Sequence, residues 1–253
     1  MNLSNSGNLF LETTIFFQWL LGSKSDKIRI LHVLGGNQRL SSTYVQAEYH
    51  TAAFRAVVSM YNLLCNMSSI EDAVAEWNKQ RGGHYKRGIE MLLIAICRSR
   101  ADRAETIDQL AYFIEEEIPL AFDANVDVLL DETGYSQFVS LPKIVEGRYV
   151  WDISFPPPVA PKSLQVFLSA NTEKLKLIHD YLSEERKQME TIVRDIARIL
   201  AGEFNLGIRA WQRLGDVIIA LEVPENCTFF TTNRQHFEPL CRVLGIPIFP
   251  YTR

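Results

Sequence analysis

The sequence predicts an α/β fold: a short central parallel sheet between layers of helix, carrying a mainly helical insertion. Three observations carry this. Strand-like runs alternate with helical periodicity at both ends of the chain. The middle is helical in pattern for most of its length. At 253 residues, 47% apolar and 22% charged, the chain is long enough for one large core with a sizeable insertion.

The elements follow in order. Residues 8–17, "NLFLETTIFF", read as a first strand, because Leu, Phe, Ile and Thr suit a buried pleat. Glu12 interrupts it, late in the strand and just before the chain turns into a helix. "QWLLGSKSDKIRILHVLGGNQRL" is a short helical pair broken by Gly35-Gly36. In "SSTYVQAEYHTAAFRAVVSMYNLLCNM", Val45, Tyr49, Ala52, Ala56, Met60 and Leu63 recur at helical spacing. Ser41, Ser42 or Thr43 caps that helix, and Ser68 or Ser69 caps the next, "SIEDAVAEW". "IEMLLIAICRSR" and "DQLAYFIEEEIPLAF" are further helices, the second ended by Pro119.

Residues 123–162 resist assignment beyond an extended loop at Pro156-Pro157-Pro158 and Pro161. A long helix starts near Thr172, with Leu175, Ile178, Leu182, Met189, Ile192, Ile196 and Ile199 on its buried face and Gly202 at its end. "GIRAWQRLGDVIIALEV" is a helix and "CTFFTTN" a strand closing in a polar turn. "RQHFEPLCRVLG" is a helix capped by Gly245, and "IPIF" is a last strand.

Net charge is −4 and the isoelectric point about 5.8, so no general basic excess advertises non-specific binding to nucleic acid or an anionic membrane. Cys65, Cys97, Cys227 and Cys241 form no CxxC pair and read as buried free thiols in a reducing compartment. "MNLSNSGNLF" lacks a signal-peptide pattern, and no apolar run reaches membrane-spanning length. The expectation is a cytoplasmic protein without a membrane partner. No GxGxxG follows a strand and no GxSxG is present, so dinucleotide binding and a nucleophile elbow are excluded.

Four polar positions point to one place. In open parallel sheets, sites form beyond the carboxyl ends of the strands. Glu12 and Asn233 both fall there. Glu48 lies on the apolar stripe of its helix, three residues after Val45 and four before Ala52. Asp216 directly precedes Val217-Ile218-Ile219-Ala220-Leu221, in a helix apolar almost all round. Carboxylates buried in this way need a partner, and three without an evident basic neighbour suggest a hard divalent cation, Mg²⁺ or Mn²⁺. Taken singly, each has an ordinary explanation. Glu48 pairs with Arg39 or Arg55, Asp216 caps a helix or bridges to Arg213, and Glu12 faces solvent at a strand end.

Together, in this order, these residues resemble the PIN-domain family of metal-dependent nucleases. "FLETTIF" is similar to its opening strand ending in an acid, "SSTYVQAE" to its second motif with Glu48 as the acid, and "GDVIIALE" to its third with Asp216. "FFTTNRQHF" is similar to its closing strand, threonine-rich turn and aromatic, here Asn233 and Phe237, before the terminal "LGIPIF". Glu12 precedes Glu48 by 36 residues and Asp216 precedes Asn233 by 17, as is usual there, whereas 168 residues separate Glu48 from Asp216. The resemblance therefore covers the two ends of one domain spanning 1–253, with residues 68–205 as helical elaboration. It departs from the family in having Glu12 for the usual Asp and Asn at 233.

The resemblance implies hydrolysis of phosphodiester bonds, most often in single-stranded RNA, at a site made of Glu12, Glu48, Asp216 and Asn233. Glu12, Glu48 and Asp216 would hold Mg²⁺ or Mn²⁺, and Asn233 a metal-bound water or a second ion. Thr13, Thr14, Thr231 and Thr232 flank the site, to bind phosphate or orient a carboxylate, or simply by β-propensity. "KQRGGHYKR", with Arg81, Lys86 and Arg87, and beyond it Arg98, Arg100 and Arg103, is the candidate RNA wall or else a solvated face. His84 and His236 have no triad context. Two rival readings stay open: an inactive PIN-like binding or regulatory module, and a toxin-type ribonuclease controlled by an antitoxin or other protein partner. A homodimer is compatible with each.

Overall fold

The computed structural model describes residues 7–80, 93–94, 96–97, 102–151, 155–157, 159–185 and 189–250. Strand β1 (Asn8–Leu11) is shorter than the sequence predicts, and helix α1 (Thr13–Leu21) follows immediately. Glu12 is the hinge between them. Its extended backbone ends the strand while its carboxylate accepts the backbone N–H of Thr14, capping the helix. Thr13-Thr14-Ile15-Phe16-Phe17 has strand propensity, but a cap at its start and burial of Ile15 and Phe16 override it.

Helix α2 (Lys24–Leu34) opens with a capping box of Ser23 and Asp26 and leads to β2 (Gln38–Ser42). Ser42 accepts the N–H of Val45 and starts the long helix α3 (Thr43–Asn66). Helices α4 (Ile70–Gln80) and α5 (Arg103–Tyr112) come next, then one wide turn, Phe113–Glu117, running on into α6 (Ile118–Asp123). Pro119 does not end this helix. It falls at the first turn of α6, just after the hydrogen bonds shift to a five-residue spacing, where a missing N–H is tolerated. Strand β3 (Val128–Leu130) follows, then a small antiparallel hairpin of β4 (Lys143–Val145) and β5 (Arg148–Val150), in the stretch that the sequence left unassigned.

The predicted long helix is two helices after α7 (Lys162–Ala170): α8 (Thr172–Glu185) and α9 (Glu190–Leu200), which pack on each other and so cannot be collinear. Gly202 follows with φ +82°. Helix α10 (Ile208–Glu222), strand β6 (Cys227–Phe230) and helix α11 (Arg234–Leu244), closed by Gly245 in the left-handed region, complete the chain. The last strand is reduced to one parallel bridge, Ile248 beside Phe229.

Among the described residues the main sheet has four parallel strands in the order β3-β2-β1-β6. Phe10 pairs with Phe229 across β1 and β6, rings stacked at 6.1 Å. Both strands bury nearly every side chain, as a parallel sheet covered by helices requires. The chain leaves β1 toward β2 and β3, then returns after the helical excursion to the opposite side as β6. The switch point of the topology is therefore the gap between the carboxyl ends of β1 and β6. No described helix is long and apolar enough to cross a membrane. The four cysteines are free thiols.

Candidate functional site

Beyond that gap lies a cavity of about 570 Å³. Its lining includes Glu12, Glu48, Asp216 and Asn233, the four predicted site residues, together with Thr13 and Thr14. Each arrives on a different element. Glu12 follows β1, and Asn233 follows β6 as the N-cap of α11. Glu48 lies in the second turn of α3. Asp216 lies in the third turn of α10. Its neighbour Gly215 faces α3, where a Cβ would sit at ordinary van der Waals distance, 3.4 Å from the Tyr44 hydroxyl oxygen and 3.7 Å from Glu48 Oε1.

The rim is tied by threonines. Thr14 donates to Glu12 through its N–H at 2.8 Å and also through its hydroxyl. The Thr231 hydroxyl donates to Glu12 Oε1 at 2.6 Å, and Thr231 Oγ1 accepts the N–H of Asn233 at 2.8 Å. Thr232 reaches Thr14 through both its N–H and its hydroxyl. Thr13 donates its hydroxyl to Glu48 Oε2. The threonines therefore orient carboxylates and lock the β1 and β6 ends together. Thr232 itself lines a shallower neighbouring cavity that shares Thr14, Phe17 and Asn233.

Glu12 is 1% exposed, and burial pushes its carboxyl up to about 7 against three hydrogen bonds, with Asp216 adding to the rise. Asp216 keeps 39% of its side-chain surface open and meets His236 Nδ1 at 3.1 Å. Lost hydration raises its carboxyl too, and His236 opposes the rise. His236 is thus beside Asp216, although it does not itself line the cavity.

Two of the three ordinary partners suggested by the sequence are engaged elsewhere. Arg39 pairs with Asp127, and Arg213 pairs with the buried Asp195. Arg103, read as part of an RNA wall, donates instead to the carbonyls of Leu64 and Cys65, closing the end of α3. Arg81, His84, Tyr85, Lys86, Arg87, Arg98 and Arg100 lie outside the described residues.

Two features escaped the sequence reading. Thr51 and Arg55 continue the Glu48 face of α3 into the cavity, at helical spacing that the sequence does carry. Phe155 and Pro156 close the cavity from a distant loop, which no local pattern announces. A separate buried acid, Glu222, accepts the hydroxyls of Ser42 and Thr133, and burial pushes it up to about 8.

The donor set fits a hard divalent cation in kind: carboxylate and amide oxygens, without sulfur. Two of the acids are held above their ordinary range, a penalty that a cation would relieve. Among the described residues, however, no three His, Cys, Asp or Glu side chains are grouped closely enough to hold a metal as they stand. No family model, characterised protein or solved structure matches the chain.

Proposed function

We propose that this chain is a PIN-like, divalent-metal-dependent nuclease that hydrolyses phosphodiester bonds in single-stranded RNA. It would be one PIN-like domain, with the elaboration over 68–205 inserted between its second and third acidic motifs. The observation that carries the reading is convergence: Glu12, Glu48, Asp216 and Asn233 come from four elements to line one cavity at the switch point of a parallel sheet.

Glu12, Glu48 and Asp216 would hold Mg²⁺ or Mn²⁺, and Asn233 would orient a water. When bound, such an ion supplies a water of lowered pKa and neutralises charge on the phosphoryl oxygens. The protein's own part is positioning. Thr14 and Thr231 fix the Glu12 carboxylate, Thr13 fixes that of Glu48, and His236 steadies Asp216. Asn233 caps α11 through its backbone alone, with no side-chain capping bond, so its amide remains for the cavity. Helices α1 and α11 both begin at the rim, and their N-terminal dipoles favour an incoming phosphate.

One observation favours the inactive-module reading: the Glu12 oxygens are already hydrogen-bonded and the acids are not drawn together. The test is cleavage of an end-labelled single-stranded RNA with Mn²⁺ by the parent and by Asp216→Asn. Cleavage by the parent that falls at least a hundredfold in a folded variant supports the nuclease. RNA left intact by the parent, or cut equally by the variant, refutes it.

A further inference from the structure

We propose that the shallower cavity beside the acids is a nucleobase pocket, which takes one unpaired base of a single-stranded nucleic acid while the adjoining phosphate lies at the acids. This rests on the nuclease reading of the first cavity. The second cavity measures about 410 Å³, within the range of roughly 300–1,000 Å³ usual for small-molecule sites. Thr14, Phe17, Gln18 and Leu21 succeed one another by three, one and three residues, so they form one stripe of α1 along its wall. The stripe begins at the acids, since Thr14 donates to Glu12. Thr232 and Asn233 supply the opposite wall, and the Thr232 hydroxyl meets that of Thr14 at 2.7 Å. Thr14, Phe17, Leu21 and Asn233 line both cavities, so the two are neighbours across a shared wall.

The wall has the chemistry of a base site. Each of these six residues is partly exposed, so a ligand can reach it. Phe17 is held edge-on to Tyr49 at 5.1 Å, which fixes its ring, and Leu21 lies one turn further on. Together they offer an apolar surface to the face of a base. The polar edge of the base meets amides. Among the described residues, neither the Gln18 amide nitrogen nor the Asn233 side-chain amide makes a hydrogen bond, and neither is shut away from solvent. The Gln18 amide oxygen is buried, so Gln18 presents a donor to the cavity. Every base carries acceptor atoms on its edge. Gln18 therefore favours a base over none, rather than one base over another.

The arrangement selects single strands. A base enters a side pocket only after leaving its stack and its pair, which a duplex resists and a single strand does not. The phosphate beside that base then lies across the shared wall, where α1 begins and the acids line the first cavity. Phe17 and Gln18 carry no charge, so they set affinity for the base, while metal binding and salt dependence rest on other residues.

The experiment is fluorescence anisotropy, with Ca²⁺ as the cation, on two labelled chains of equal length and charge: decauridylate and its abasic counterpart, the same ribose phosphate polymer without bases. The proteins are the parent, Phe17→Leu, Phe17→Tyr and Gln18→Met, and Mn²⁺ calorimetry and decauridylate cleavage run on all four. The parent is expected to bind decauridylate about tenfold more tightly than the abasic chain. Phe17→Leu should lose most of that preference and Gln18→Met a few-fold of it, whereas Phe17→Tyr, which keeps the ring, should bind as the parent does. Abasic affinity, the log–log salt slope and Mn²⁺ binding should match the parent throughout. Gln18→Met removes an amide at nearly constant shape, so it tests the pocket even where Phe17→Leu disturbs α1. A parent that binds both chains alike, or neither, overturns the pocket. So does a preference that survives intact in both Phe17→Leu and Gln18→Met, or variants that weaken both chains equally, which is the mark of a structural role. Base-dependent binding without cleavage leaves the pocket standing and removes the nuclease reading, whereas cleavage at subsaturating RNA that neither variant slows does the reverse.

Discussion

Replacing Glu222 by Gln should make the protein more stable in mild alkali. Glu222 is 4% exposed, and its carboxyl is raised from the ordinary 4.5 to about 8, first by burial and then by the nearby Glu132 and Asp131. A folded-state value above the unfolded one means that the folded protein keeps a proton which the unfolded chain has lost. Stability is therefore fully present below pH 4.5 and drains away as pH rises to 8. At about 1.4 kcal/mol per unit, the whole shift corresponds to roughly 5 kcal/mol, of which about 3 falls between pH 5 and pH 8. Gln keeps the shape and removes the titration, since the Ser42 hydroxyl still donates to its oxygen and the Thr133 hydroxyl turns to accept from its amide. The assay is urea denaturation of parent and variant at pH 5, 6.5 and 8 with chelator present. The variant should lose about 3 kcal/mol less than the parent across that range. Parallel curves, or a variant weaker than the parent at pH 8, would refute the reasoning. The effect reaches the site because Ser42 also caps α3, which carries Glu48.

Other expectations follow from the same contacts. Thr231→Val removes the hydroxyl that serves both Glu12 and the N–H of Asn233; it should lower stability by about 1–3 kcal/mol in urea denaturation and raise the Glu12 carboxyl further above about 7. Gly134→Ala should destabilise by roughly 1–3 kcal/mol, because the residue has φ +69° and a Cβ there would lie 2.0 Å from Ser163 Oγ; thermal melting reads it. Asp216→Asn should abolish Mn²⁺ binding while its circular dichroism stays that of the parent, since the side chain is partly open and packs no core.

Much of this architecture is legible in the chain because burial and periodicity coincide. The stripe through Val45, Tyr49 and Ala52 placed Glu48 on the inward side of its helix, and the polar turn after "CTFF" placed Asn233 at a strand end. The strand-end rule set Asn233 beside Glu12, whereas joining Glu48 to them rested on the family resemblance. Propensity failed where tertiary contacts decide. Thr13–Phe17 folds as helix because Glu12 caps it, and Pro119 continues a helix whose hydrogen bonds have just shifted. Met189 caps the second of two helices where the periodicity reads as one, since the two pack on each other. Glu222 went unread because its partners Ser42 and Thr133 are far away in sequence, although it ends the same apolar run that marks Asp216 as buried.

The most direct test of the site is Mn²⁺ titration by calorimetry on the parent and on Glu48→Gln. Heat of binding in the parent that disappears in the variant is the expected result, and it would establish the acids around the cavity as a metal site. A parent that binds no Mn²⁺, or a variant that binds it equally well, would contradict it.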